Sequence, residues 1–339
     1  MTSEFRQDLV SGKWVLISTS RSKRPLKKQK DKLYQTKEEC PFENLQTSGH
    51  SDPIAAYLNG KRISWEGPFS SEWTTQIIRN KFPALQSGAC GAMRKTGPFC
   101  VYDANGFHEL VVTKDHDKSF AQFTNDETAE VILAYRNRFR EISQDECGDY
   151  VSIFHNHGKL AGASVYHSHS QIISTPILPP EIVESIRGSG RFFAEHSKKV
   201  HEILMEWEIG EQKRIVYEND KFIAFCPFVS KTPYEIRIFP KIAHPYFSGL
   251  SDADIPLLAD VLSVVLRKVH VALDNVDYNF YIHTAPVQHD PLLNYEFYQW
   301  HIEVVPRITA IAGFELGTAI FINPIDPDDA ARHLRETTV

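Results

Sequence analysis

His155, His157, His167 and His169 fall in the run HNHGKLAGASVYHSHSQII of a 339-residue chain. If the last part of that run is a strand, side chains two apart share a face. His167, His169 and Gln171 then point one way, Ser168 and Ser170 the other. A lone histidine on a strand is ordinarily a hydrogen-bonded structural residue. Two histidines and an amide on one face make a polar site that a packed sheet otherwise avoids. Three chemistries suit it. Converging imidazoles ligate a metal; a neutral imidazole whose other ring nitrogen is held as a donor is a nucleophile; the same tautomer control serves general acid or base work. The small residues just ahead, Gly158, Gly162, Ala163 and Ser164, let backbone N–H groups approach an anion closely, and they favour phosphate.

The elements that would position these residues occur twice. An apolar strand HELVVTKDH ends at His116, a helical segment follows over about 125–142, and the strand YVSIFHN leads to HSHSQII. Later, YEIRIFPKIAH ends at His244, a helical segment covers about 252–273, and YNFYIHT leads to QWHIEVV. Tyr150 and Tyr278, His155 and His283, and His116 and His244 are all offset by 128 positions, the mark of an internal repeat. Laying the last strands together sets His167 against Gln299, His169 against His301, and Gln171 against Glu303. The second copy keeps the scaffold and changes the chemistry. Thr124 or Asn125 and Ser251 or Asp252 are the expected helix caps. The pattern predicts an α+β fold of two fused halves, 1–187 and 188–339, each a mostly antiparallel sheet with helices packed on it.

An apolar fraction of 42%, a charged fraction of 24% and a net charge of -6 are those of an ordinary soluble enzyme and give no global attraction to nucleic acid or an anionic membrane. No early apolar run is long enough for a signal peptide and no later one for a membrane span, so a cytoplasmic location is expected. Cys40, Cys90, Cys100, Cys147 and Cys226 form no CxxC pair, which argues against a disulfide framework.

The chain resembles the galactose-1-phosphate uridylyltransferases, a branch of the histidine-triad superfamily built from two fused triad-like halves. The resemblance covers nearly the whole chain. It rests on SKRP at 22–25, RNKFPAL at 79–85, NHG at 156–158, AGAS at 161–164, HSHSQ at 167–171 and AGFELGT at 312–318. HSHSQ and the ending GFELGTAIFINP also resemble the ADP-glucose phosphorylases.

The resemblance implies that His169 attacks the α-phosphorus of a nucleotide sugar to form a nucleotidyl-histidine, with Gln171 donating to a phosphoryl oxygen. It implies substrate contacts for Arg21 and Arg24 near phosphate or sugar, Asn80 and Phe82 around the base, and Asn156 near the nucleotide. Gly162, Ala163 and Ser164 would sit at the phosphates and Glu315 on hexose hydroxyls. Lys27, Lys28 and Lys30 read as a solvated basic loop. The family's structural zinc maps to Cys40, Glu43, His116 and His167, where Glu43 stands for a cysteine, so a site of this composition is weakened. Where many relatives carry a second zinc, Lys198, His201, His244 and Gln299 stand here, and no such site is expected. Another set, His283, His301 and Glu303 with Glu184, is conceivable.

The expected function is nucleotidyl transfer between nucleotide sugar and sugar phosphate, of the UDP-glucose:hexose-1-phosphate uridylyltransferase type, in a homodimer. The alternatives are an ADP-glucose or dinucleotide phosphorylase using inorganic phosphate, and a non-catalytic nucleotide- or metal-binding protein.

Overall fold

The computed structural model describes residues 3–23, 32–68, 72–86, 91–145, 148–288 and 290–339. Its centre is an 11-stranded sheet. In spatial order the strands are Ile215–Glu218, Phe222–Phe225, Ile236–Pro240, His301–Pro306, Tyr278–His283, Tyr150–His157, His169–Thr175, Phe107–Thr113, Thr75–Arg79, Ala55–Leu58 and Lys61–Ile63. All neighbours are antiparallel. The halves meet where Tyr150–His157 pairs with Tyr278–His283, with five strands of the second half on one side and six of the first on the other. The fold is α+β, with one sheet running through both halves.

Alternation decides what each face of this sheet meets. Val111, Ile153, Ile172, Ile238, Phe280, Ile302 and Val304 are fully or nearly fully buried on one face, under the helices Asn125–Ile142 and Ile255–Ala272. Burying side chains of this size contributes roughly 1.5–3 kcal/mol each. The first helix starts where its cap was expected. Thr124 Oγ1 accepts from the Glu127 N–H at 3.2 Å, and Glu127 returns a carboxylate to the Thr124 N–H at 2.7 Å. The second helix begins later than expected, at Ile255 with Asp254 as its cap; Ser251 accepts from the Asp254 N–H at 3.2 Å in the turn before it.

The opposite face carries His169 and Gln171. In the second half that face is covered by helices Pro180–His196 and Val200–Glu211, and positions 187 and 188 both lie inside the first of these. In the first half it is covered by irregular chain, with Cys40, Phe42, Leu45 and Trp73 packed on Ile78, Leu110 and Val112.

Two features refine the picture of two repeated halves. The N-terminal strands Glu4–Gln7 and Trp14–Ile17 join Phe321–Asn323 in a separate three-stranded sheet. They pack on the second half: a Cβ added at Gly188 would stand 1.6 Å from the Val10 carbonyl oxygen, a closeness only glycine permits. The 128-residue offset is also one too many for the strands. Gln171 is flanked by Leu110 and Phe154, and Glu303 by Arg237 and Tyr281, an offset of 127. One residue of slip exchanges the faces of a strand. His155 therefore stacks on Phe280 at 5.1 Å beneath the helices, while His283 stacks on His301 at 4.9 Å on the other face.

Candidate active site

His169 opens the His169–Thr175 strand and is 8% exposed. Its Nδ1 lies 2.9 Å from the His167 carbonyl oxygen. A carbonyl only accepts, so Nδ1 carries the proton and Nε2 keeps its lone pair. Burial pushes the imidazole below the ordinary histidine range, which favours this neutral form. The edge of the Phe42 ring packs against it, 5.0 Å between centroids. The arrangement is that of an oriented nitrogen nucleophile.

Gln171 shares the face two residues on. Its Oε1 is 2.9 Å from His108 Nε2, and His108 Nδ1 accepts from the Ala84 N–H at 2.9 Å. Because Nδ1 accepts, Nε2 carries the hydrogen and donates to Gln171, leaving the two amide hydrogens of Gln171 for a ligand. Asn80 Nδ2 lies 2.9 Å from the same His108 nitrogen, a donor beside a donor that makes no hydrogen bond in this tautomer, and Asn80 Oδ1 accepts from the Phe82 N–H at 2.9 Å, holding the exposed Phe82 ring at the rim. His108 was not legible as a site residue. Its role follows from the pairing of Phe107–Thr113 with His169–Thr175, and no local motif marks it.

Between Tyr150–His157 and His167 the chain makes a tight loop. Gly158 and Gly162 adopt φ of +82° and +86°, and a Cβ on Gly158 would meet the Asp277 carboxylate at 2.0 Å. Asp277 Oδ2 accepts from the Leu160 N–H at 2.6 Å. The Ala163 N–H returns to the Gly158 carbonyl at 3.1 Å, and Ser164 is exposed beyond it. Ser170 pairs with His155, so the next position sets Asn156 beside His169.

Cys40, His116 and His167 bring their ligand atoms within 4.8 Å of one another. His116 Nε2 donates to the Gln35 carbonyl at 2.9 Å and His167 Nε2 to the Thr113 carbonyl at 2.7 Å. Both Nδ1 lone pairs are thereby turned inward: His167 Nδ1 is 3.5 Å from Cys40 Sγ, and His116 Nδ1 is 3.7 Å from Glu43 Oε2. His116 Nδ1 and Glu43 Oε2 are buried without hydrogen-bond partners among the described residues. Two inward imidazole lone pairs, with their outer nitrogens held by carbonyls, and a thiol fit a zinc ion, while the Glu43 carboxylate stands beside His116 outside the converging three.

In the second copy, His301 Nδ1 meets the Gln299 carbonyl at 3.1 Å, the same lock that His169 has. Its surroundings differ. His301 Nε2 faces Glu303 Oε1 at 3.6 Å, and Arg237 Nε reaches the same oxygen at 3.1 Å. Burial alone would raise the Glu303 carboxyl; the Arg237 guanidinium holds it well below the usual carboxylate range. His283, His301 and Glu303 converge, but Glu184 does not join them, because Lys13 pairs with it at 2.6 Å.

Arg21 is exposed in the short turn Thr19–Lys23, on the side of the small sheet, and has no hydrogen bond or ion pair to the histidine face among the described residues. Arg24 lies outside the described residues. Glu315, in the helix Gly313–Thr318, turns Oε2 back to the Ala312 N–H at 3.1 Å. No helix among the described residues is long and apolar enough to cross a membrane.

Residues 1–179 match the family described as galactose-1-phosphate uridyl transferase, N-terminal domain, and residues 103–338 match a domain of unknown function, DUF4921. An ADP-glucose phosphorylase of Arabidopsis thaliana is 29% identical over 343 residues, covering 99% of this chain and 93% of that protein. A galactose-1-phosphate uridylyltransferase of Thermotoga maritima is 29% identical over 346 residues, 99% of each. A crystal structure of an ADP-glucose phosphorylase from Arabidopsis thaliana with bound ADP-glucose is similar at a TM-score of 0.81, with 28% identity and 100% of both chains covered.

Proposed function

Because the chain belongs to the galactose-1-phosphate uridyl transferase family, whose chemistry is nucleotidyl transfer, we propose that it moves a nucleoside monophosphate from a nucleotide sugar to a phosphate acceptor through a covalent nucleotidyl-His169. One observation carries this reading: His169 Nδ1–H donates to the His167 carbonyl, which leaves the lone pair on Nε2. In the first step the Nε2 lone pair attacks the α-phosphorus. A phosphorus–nitrogen bond forms as the bond to the bridging oxygen breaks, and hexose 1-phosphate departs with that electron pair. In the second step an acceptor phosphate oxygen attacks the same phosphorus, and the pair of the broken phosphorus–nitrogen bond returns to Nε2. Entering and leaving groups are both phosphate oxygens of low basicity, so neither step needs a proton donor, and the kinetics are ping-pong.

Gln171 turns its amide hydrogens to a non-bridging oxygen as charge moves onto it, a donor role held in place by His108. Asn156, Gly162, Ala163 and Ser164 line the phosphate side and Asn80 and Phe82 the base; the roles at the sugar phosphate that fall to Arg21, Arg24 and Glu315 follow from the family likeness. In a homodimer, the C-terminal segment carrying Glu315 reaches the partner's site. Cys40, Glu43, His116 and His167 would hold a zinc ion. Bound there it supplies no reacting group; it fixes the entry to the His169 strand.

We take the donor to be UDP-glucose and the acceptor a hexose 1-phosphate, which RNKFPAL and the Glu315 segment support. A second reading, ADP-glucose phosphorolysis with inorganic phosphate, is favoured by the full-length likeness to the ADP-glucose phosphorylase of Arabidopsis thaliana. The test crosses UDP-glucose and ADP-glucose with galactose 1-phosphate and phosphate. Turnover with UDP-glucose and galactose 1-phosphate is expected; turnover confined to ADP-glucose with phosphate selects the second reading. An absence of any adduct on incubation with either donor alone overturns both.

A further inference from the structure

The amide of Asn156, beside His169, has its polarity set from the other half of the chain. Arg307 follows the His301–Pro306 strand, and its Nε–H can only donate, so the Asn279 atom it meets is Oδ1. Asn279 Nδ2 then points away and donates to Asn156 Oδ1 at 2.7 Å and to the Ala161 carbonyl at 2.8 Å. With its oxygen engaged, Asn156 turns Nδ2 toward the loop, 4.0 Å from where a Cβ on Gly162 would stand. Strand register puts His169, Asn156 and Asn279 in one row across three adjacent strands. Asn279 is only 6% exposed, so water has little access to compete for its amide. The sequence repeat hides this row: at an offset of 127 the counterpart of Asn279 is Ser152, which cannot pass on a donor–acceptor order in the same way.

We propose that Asn279 and Arg307 are positioning residues for nucleotidyl transfer, holding the Asn156 amide with its N–H edge toward the phosphates of the nucleotide sugar beside His169. The inference rests on the transfer chemistry proposed above. A primary amide turned by half a rotation presents an oxygen where it presented a hydrogen, and an oxygen repels the anion that the hydrogen binds. Nothing in Asn156 itself selects between the two. The guanidinium selects, through Asn279, because it has no acceptor to offer.

Asn279→Asp tests the relay. The substituted carboxylate still accepts from Arg307 but has no hydrogen to give, so Asn156 turns Nδ2 toward it and Oδ1 toward the phosphates. The rate of adduct formation at saturating UDP-glucose or ADP-glucose, followed by quench and intact mass, should fall about 10- to 100-fold, the scale of a lost oxyanion donor or its support. The half-saturating concentration should change less. In an Asn156→Ala background the same substitution should cause no further loss, whereas a merely structural role would multiply the two effects. Arg307→Met, which frees Asn279 to turn, should behave likewise and serves if Asn279→Asp does not fold. A wild-type rate in both variants, or losses that multiply, overturns the proposal while leaving the transfer chemistry standing. Wild-type protein that takes up nucleotide from neither donor overturns the parent reading and this one with it.

Discussion

His169 and His301 hold the same hydrogen bond, Nδ1 to the carbonyl two residues earlier, at 2.9 and 3.1 Å. The two rings are in the same tautomer and differ in what their Nε2 atoms meet. His301 faces a carboxylate already paired with Arg237, whereas Gln171 turns amide hydrogens toward the space beside His169. One of two equally prepared nitrogens should therefore react.

A nucleotide sugar without acceptor is expected to leave one nucleoside monophosphate per chain. The adduct should vanish in His169→Ala and persist in His301→Ala, and acid should release it by cleaving the phosphorus–nitrogen bond. His169→Gly with added imidazole should regain part of the turnover. An adduct that maps to His301 would sink the mechanism.

Gln171→Glu imports the chemistry of the second copy into the first. The carboxylate keeps the hydrogen bond from His108 but has no donor and repels phosphate, so adduct formation should slow by about 10²–10³. His108→Ala, which frees the amide to turn, should slow it by about 10-fold. Stopped-flow or quenched single-turnover rates separate these effects from binding; a His108→Ala rate equal to wild type would remove His108 from the account.

One zinc per chain is expected by elemental analysis of protein purified without chelator. Cys40→Ser should lose it and Glu43→Cys should hold it more tightly. The His283, His301 and Glu303 set should stay free of zinc because Arg237 already supplies a cation to Glu303. Two equivalents, or none, would contradict this assignment.

Stability should fall as pH drops below about 6.5, the ordinary histidine value. Burial lowers His201 to about 3 and His301 to about 4, so below 6.5 the unfolded chain takes up protons that the folded one refuses. Each group loses roughly 1.4 kcal/mol per pH unit until its folded value is reached; above 6.5 both states are neutral and the contribution is constant. Neither ring nitrogen of His201 has a hydrogen-bond partner among the described residues. His201→Leu should flatten the pH dependence of urea midpoints between pH 6.5 and 5, and an unchanged slope would refute the assignment.

Much of this site could be read from the chain because it depends on alternation within one strand. HSHSQ places His169 and Gln171 on one face wherever the strand sits, and the small residues ahead of it announce a tight loop. Helix Asn125–Ile142 was legible from its capping box and apolar spacing. What escaped depends on which strands lie side by side. His108 belongs to the site through its diagonal contact with Gln171, and Asn279 through the seam between the halves. The repeat offset of 128 was misleading for the same reason. It matched residue identities, whereas faces are matched by hydrogen-bonded register, and one residue of difference reverses them. Glu184 was offered to His283 by the family resemblance alone; Lys13, from a segment that crosses over to the second half, takes it instead.

The seam between Tyr150–His157 and Tyr278–His283 has a further meaning for how such a protein divides labour. Two identical chains meeting about a two-fold axis must repeat every contact across it, and any change in one copy is forced on the other. Joining the copies end to end lifts that obligation. Asn279 faces Asn156 without an identical counterpart contact on the other side of the axis. One copy is free to bring its histidine to a carboxylate and a guanidinium, and to become the mount on which the other copy's chemistry is aligned. The second half is then an outer part of a single reaction centre, and severing it should disable His169 without removing a single atom of that residue's own strand.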